Sequence, residues 1–311
     1  MNKRILMAVG ATFAIVASQS AMAACSDIAA SFTALQSSVN TVGASGGYGL
    51  PMWVTAVDET GKVCYVVTSK SEDVLAATGV NGAAPWGVSS STTGAATSNK
   101  QWLGSRVISA QKANTANAFS VDGYSIATGN LYTAVNPGGS LYGLQHSNPV
   151  DASRAYVGNP ASYGKANDAL VGKRIGGVNV FGGGLALYKT VGSTKVKVGA
   201  IGVSGDTSCR DHAFAWDVRA ALSLNNVPTG ITAYNADSAG GGTPAIVTAA
   251  NVAPIGDELI IDTKGTPGTI GATHVNNLTG VSAAAYNYWK GWSQPACPLV
   301  DGAHPSYILI E

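Results

Sequence analysis

The sequence predicts an α+β fold in which a mostly antiparallel sheet is covered by helices. Three observations predict it. Two β-rich hairpin patterns occupy Leu50 to Thr68 and Arg174 to Val203, and three separate stretches carry apolar residues at helical spacing. In the third, an apolar strand runs through Gly202-Val203-Ser204-Gly205 straight into a helix.

In chain order, Ser26 to Val42 carries Ile28, Phe32, Leu35 and Val39 at helical spacing, and the glycines from Gly43 to Gly49 end it, so one helix is expected. Leu50 to Val57 and Lys62 to Thr68 are joined by Asp58-Glu59-Thr60-Gly61, a four-residue turn ending in Gly, and read as an antiparallel hairpin. From Ser69 to Lys100 the composition shifts to Gly, Ala, Ser and Thr around Trp86, which predicts a long loop. Gln101 to Ser120 regains helical spacing through Leu103, Val107, Ala110 and Phe119. Val121 to Asp151 is punctuated by Gly and Pro and holds Tyr124, Tyr132, Tyr142 and His146; loops of such length in a compact domain tend to be functional. Arg174 to Tyr188 and Lys195 to Val203 form the second hairpin, with Gly182-Gly183-Gly184 marking a bulge or a close backbone approach. Val196, Val198, Ala200 and Gly202 are expected on one face of its second strand. Thr207 or Ser208 then caps a helix reaching Leu224. Beyond Pro228, Glu258 to Asp262 reads as a strand, and Trp289 and Trp292 indicate a tail packed on the domain.

Whole-chain features bound the function. Residues 1–23 read as a secretory signal: Lys3 and Arg4, an apolar run from Ile5 to Ala17, and the small-residue site Ala21-Met22-Ala23. That run is too short to span a bilayer, and no later segment is long and uncharged enough, so the product is expected to be periplasmic or secreted, without an integral membrane segment after cleavage. A rival reading takes Met22-Ala23-Ala24-Cys25 as a lipoprotein cleavage box. Cleavage leaves 16 basic residues against 17 acidic ones, a net charge of about −1, so nucleic acid is excluded as a partner. Charged residues make up only 11% of the chain, which permits weakly charged surfaces that pair in a homo-oligomer. Four cysteines survive cleavage, Cys25, Cys64, Cys209 and Cys297, and in an oxidising compartment they read as two disulfides with three connectivities open. Pairing Cys25 with Cys64 and Cys209 with Cys297 is favoured, since it ties the first helix to the second strand and the tail to the Thr207 helix.

Three segments carry a family resemblance: LPMWVTAVDETGKVCYVV, WLGSRVISAQKANTANAFS, and GGVNVFGGGLALY followed by VGAIGVSGDTSCRDHA. Between Ala30 and Leu224 the chain resembles the GlcG/HbpS family of heme-binding-type proteins. The resemblance implies a profilin-like α/β sandwich, oligomeric assembly, and heme as cofactor. It divides the chain into a signal peptide at 1–23, a GlcG/HbpS-like domain at 24–225 and a C-terminal extension at 226–311. The signal, the Ser69 to Lys100 insertion with the Asn130 to Asp168 loop, and the extension depart from the family pattern.

Candidate site residues follow from motif and resemblance together. No C-x-x-C-H is present, so heme is expected to be held non-covalently, with His146 as iron ligand in the Tyr-rich loop beside Tyr142. Successive amides from Gly202 through Ser204 and Gly205 to Asp206, at a helix N-terminus, suit an anion, or else simply make a sharp corner. Lys112 occupies the family's Lys-Ala position, and an anion is expected to pair with it; the plain alternative is a solvated helix face shared with Arg106 and Ser109. Asp211 either joins this site or complements the helix dipole. Cys209 and His212 have a C-x-x-H spacing, but two ligands do not make a metal site.

Several signatures fail: Asp206 replaces the second glycine of a G-x-S-x-G elbow, and Ala166 stands where a phosphate loop needs Ser or Thr. Asp257 and Glu258, adjacent on a strand, would point apart. The reading is an exported binding protein for heme or a related small anionic or aromatic ligand. Its alternatives are an enzyme using Lys112, Ser204 and Asp211 on a small carboxylate, and an accessory protein of a periplasmic oxidative pathway.

Overall fold

Four strands form one sheet in a computed structural model, in the order β2-β1-β4-β3 and antiparallel throughout: β1 is Trp53–Val57, β2 Val63–Thr68, β3 Gly184–Val191 and β4 Thr194–Ser204. The structure describes residues 24–42, 47, 50–69, 103–235, 245–246, 256–262, 291–298, 301 and 304–310. The expected signal segment, nearly all of the Ser69 to Lys100 loop, and Trp289 lie outside them. No helix among the described residues is long and apolar enough to cross a membrane.

The first helical stretch is divided into α1 (Cys25–Ile28) and α2 (Phe32–Val42). Ala29 is extended and the Ser31 hydroxyl accepts from the Ala34 amide, so the chain stops and restarts where one helix was expected. The β1–β2 turn is organised by Asp58, whose Oδ1 accepts from the amides of Thr60 (2.9 Å) and Lys62 (3.0 Å), while Gly61 takes φ +75°.

Both faces of the sheet are covered. Leu35 and Val39 of α2 and Phe214, Ala215 and Val218 of α4 (Ser208–Ala221) pack with Val54, Leu185, Ile201 and Val203 on one face. Ala110, Ala113 and Ala116 of α3 (Leu103–Phe119) pack with Trp53, Val57, Val66 and Ala200 on the other. Small residues let α3 lie close: a Cβ at Gly202 would fall 2.0 Å from the Ser109 carbonyl oxygen and 2.4 Å from the Ala113 nitrogen. The β3–β4 register shifts between Leu187 and Tyr188, and Gly199 has φ +142°. This bulge overturns the single-face reading of β4, since Val198 joins the α2/α4 core while Ala200 joins the α3 core.

Later segments add two more strands, β5 (Tyr234–Asn235) and β6 (Ala245–Ile246), and then a separate parallel sheet. Its order is β8-β7-β9, from Leu259–Asp262 (β7), Gln294–Pro295 (β8) and Tyr307–Ile310 (β9). Leu259, Ile261 and Tyr307 pack against Cys209 and Ala213 of α4, and Arg219 makes a buried bidentate pair with Asp257 (2.6 and 2.9 Å). The disulfides are Cys25–Cys64 and Cys209–Cys297, with Cα separations of 5.4 and 5.9 Å. Bonding of the Cys25 sulfur to Cys64 leaves no thiol there for the lipoprotein reading.

Candidate functional site

The site forms where β4 ends and α4 begins. Thr207 caps α4, its hydroxyl accepting from the Arg210 amide at 3.0 Å. Gly205 (φ +154°) is held against the preceding chain, where a Cβ would lie 2.5 Å from the Pro51 carbonyl oxygen. Two of the amides from Gly202 to Asp206 expected to cradle an external anion, and that of Thr207 just beyond them, have acceptors in the chain. Val203 N–H donates to Gly183 O (2.8 Å), Asp206 N–H to Asp211 Oδ1 (3.0 Å) and Thr207 N–H to Asp206 Oδ1 (2.8 Å). The chain's own Asp206 and Asp211 carboxylates therefore take some of the donors at this corner, and Gly202 serves the contact with α3.

Lys112 reaches the same corner from α3. Its Nζ donates to Asp211 Oδ2 and to Val203 O, both at 2.8 Å, and the two side chains are 1% and 3% exposed. The expected pairing of Lys112 with an anion is met internally, and its helix face is buried rather than solvated. Arg106 pairs with Asp168 and stacks 3.6 Å over Tyr163, and Ser109 shares a 2.7 Å hydrogen bond with Thr55. The glycine run keeps room for this corner, since a Cβ at Gly183 would stand 2.9 Å from Asp211 Cβ and 3.2 Å from Lys112 Nζ. Burial pushes the Asp211 carboxyl up to about 6 against the pull of Lys112, and burial likewise draws Lys112 below its ordinary value.

Beside this pair lies a hollow of about 300 Å³. Ser105, Lys112, Ser204 and Asp211 are its buried members, and Ile108, Phe181, Gly205, Asp206 and Ser208 also line it. The Ser105 and Ser204 hydroxyls make no hydrogen bond to a described residue, and Lys112 uses two of its three N–H donors. Among the described residues no base is hydrogen-bonded to the Ser204 hydroxyl. Among the described residues that line it, one lysine stands with two carboxylates. Ser105 and Ile108 were not expected at the site, although they stand seven and four residues before Lys112, a spacing that places them on its helix face. Phe181 and Ser208 carry no such signal, because a loop and a later helix bring them here.

The structure does not bring the Tyr-rich loop to this hollow. His146 is exposed on the helical turn Leu144–Ser147 and Tyr142 is 64% exposed, and neither lines it. Tyr124 and Tyr132 instead pack on the cluster of Ile126, Leu131 and Val180. His212 is fully buried beside Trp216 and Tyr307 (ring centroids 6.1 and 6.3 Å), and burial holds its pKa well below the ordinary value. With Cys209 bonded to Cys297, no thiolate completes the C-x-x-H spacing.

Residues 88–220 match the model of the family described as haem degrading protein, HbpS-like. The crystal structure of Klebsiella pneumoniae protein ORFY, assigned to the family DUF336, is similar at 19% identity over 70% of this chain and 98% of that one, with a TM-score of 0.36. That of a PduOC–heme complex is similar at 24% identity over 55% of this chain and 78% of that one, with a TM-score of 0.31. No curated protein matches the chain. The opening hairpin lies outside the matched segment, whereas the Lys112 helix and the Ser204–Asp211 corner lie inside it. Residues 88–220 are thus similar to the HbpS-like family, and the described residues that line the polar hollow fall within them.

Proposed function

We propose that this protein is an exported, non-covalent binding protein whose ligand presents neutral hydroxyl groups to the hollow beside Lys112 and Asp211. The observation that carries this reading is the pair of almost buried serine hydroxyls, Ser105 and Ser204, which have no hydrogen-bond partner among the described residues and stand beside a Lys112 donor with none among them either. A ligand hydroxyl donates to a carboxylate and accepts from Lys112 or a serine at once, pairing polar groups that line the hollow. Two carboxylates against one lysine disfavour an anion, which replaces the expected anionic ligand with a neutral one. Export is supported by the signal-like residues 1–23 and by the two disulfides, which persist in oxidising compartments. The test is an amide chemical-shift titration with glycerol and with acetate. Glycerol should move the Ser105, Lys112 and Ser204 signals, and the shift should fade in Ser204→Ala; movement by acetate alone would reject the reading.

Heme is a second reading, favoured by the family match and by His146. The polar hollow does not fit it, since among the described residues no histidine, tyrosine, methionine or free thiol lines that space to hold iron. His146 does fit an open surface site, having an exposed ring and no described hydrogen-bond partner, with exposed Tyr142 in the same loop. Bound there, heme would supply its own iron chemistry, and His146 would fix its position. A hemin titration should give a Soret shift that disappears in His146→Ala; an unchanged spectrum in that variant removes His146 from the account.

A further inference from the structure

A second hollow, of about 200 Å³, adjoins the first across Phe181 and Ser208, which line both. Its remaining lining differs in chemistry. Tyr132, Pro295, Ala296 and Pro298 present ring and aliphatic surface, and the Cys209 end of the disulfide closes one side. Residues 294–298 lie beyond the HbpS-like segment, so the C-terminal part of the chain supplies this wall.

The wall is fixed in place. Cys297 is bonded to Cys209, Gln294 Nε2 donates to Cys209 Sγ (2.9 Å), and Ser208 Oγ donates to Gln294 Oε1 (2.9 Å) while accepting from Gly182 N–H (2.7 Å). Phe181, on the shared border, is 48% exposed although its ring is wholly apolar. A ligand ring laid against it would remove that surface from water.

We infer that the ligand is an aromatic alcohol, its hydroxyl in the polar hollow and its ring in the apolar one against Phe181. This rests on the hydroxyl reading above and extends it with a second, independent feature, the apolar compartment. An aromatic carboxylate is the poorer fit, because its charge would face Asp206 and Asp211. The two compartments together are of the size that holds a small organic molecule, roughly 300–1,000 Å³.

The experiment compares glycerol, benzyl alcohol and benzoate by amide chemical-shift titration of the full chain. Burial of a phenyl ring should make benzyl alcohol bind roughly ten- to a hundredfold tighter than glycerol. Benzoate should bind more weakly than benzyl alcohol, and benzyl alcohol should move signals of both Ser204 and Ala296. Ala296→Trp, which fills the apolar compartment, should bring benzyl alcohol down to the glycerol level and leave glycerol unchanged. Glycerol binding with no gain for benzyl alcohol would overturn this inference and leave the hydroxyl reading standing. Absence of binding by both would overturn the two together, and tighter binding of benzoate would refute the charge argument. The comparison among ligands on the unaltered chain decides the matter even where the variant does not fold.

Discussion

Replacing Lys112 by Met tests the physics of the site most directly. The substitution keeps the stem and deletes the ammonium that faces Asp211 Oδ2 at 2.8 Å, leaving a fully buried carboxylate with the Asp206 amide as its remaining partner. Burial already holds Asp211 near 6 in the presence of Lys112, about two pH units above its ordinary 3.8 and worth about 3 kcal/mol. Without the lysine the value rises further. A carboxyl whose folded value is raised binds its proton more tightly in the native state. Its contribution is therefore fully present below about 4 and is lost as pH rises through the folded value. In the parent that window runs from about 4 to about 6; in the variant it extends upward. Urea unfolding should show the variant losing about 3–5 kcal/mol at pH 8, the usual result of stranding one member of a buried pair. At pH 5, where Asp211 is largely protonated in both proteins, the loss should be much smaller. Lys112→Met/Asp211→Asn should recover most of the deficit at pH 8. Equal losses at the two pH values would show that Lys112 acts through packing of its stem, and would refute the charge argument.

Gly202→Ala should cost about 2–3 kcal/mol or more in a urea titration, because its methyl group would meet backbone atoms of α3 at 2.0 and 2.4 Å. Cys209→Ala/Cys297→Ala removes a crosslink spanning 88 residues, for which the chain-entropy relation gives about 4–5 kcal/mol; thermal unfolding should show the loss, and a drop under 1 kcal/mol would contradict it. His212 is buried neutral, facing Trp216, Tyr307, His304, Arg219 and Lys112, and a base with a depressed value loses stability as pH falls below its unfolded value near 6.5. His212→Phe should flatten that acid-side decline, which for one group approaches about 1.4 kcal/mol per pH unit; an unchanged slope would assign it elsewhere. Unreduced peptide mapping should recover Cys25 with Cys64 and Cys209 with Cys297, and the crossed pairing would contradict the structure.

Periodicity made the main sandwich legible. Both hairpins, the Lys112 helix and the Thr207-capped helix appear within a few residues of their expected limits, except that β3 begins at Gly184 rather than Arg174. Features that depend on one residue pressing on another were hidden. The bulge at Gly199 reverses the facing of β4, and a count of alternating apolar residues cannot register it. Likewise the Gly-rich corner looked ready for an external anion, because nothing local says that Asp211, one turn into the next helix, bends back to accept from its Asp206 amide. The apolar compartment was still less accessible, since its wall comes from residues after 290, and the parallel β8-β7-β9 pairing joins segments without a short connecting pattern.

The seam between β1 and β4 pairs Trp53 with Ser204, segments far apart in the chain, while β1 meets β2 across a turn of a few residues. As the chain folds, the β1–β2 hairpin therefore keeps one rim open until β4 joins it, and closing that long intervening stretch is slow because its ordering entropy must be met before most contacts form. An open rim of buried-type residues such as Trp53, Val54 and Ala56 invites pairing with other nascent chains. Yield in a recombinant host should thus be governed by how quickly the second half of the polypeptide arrives.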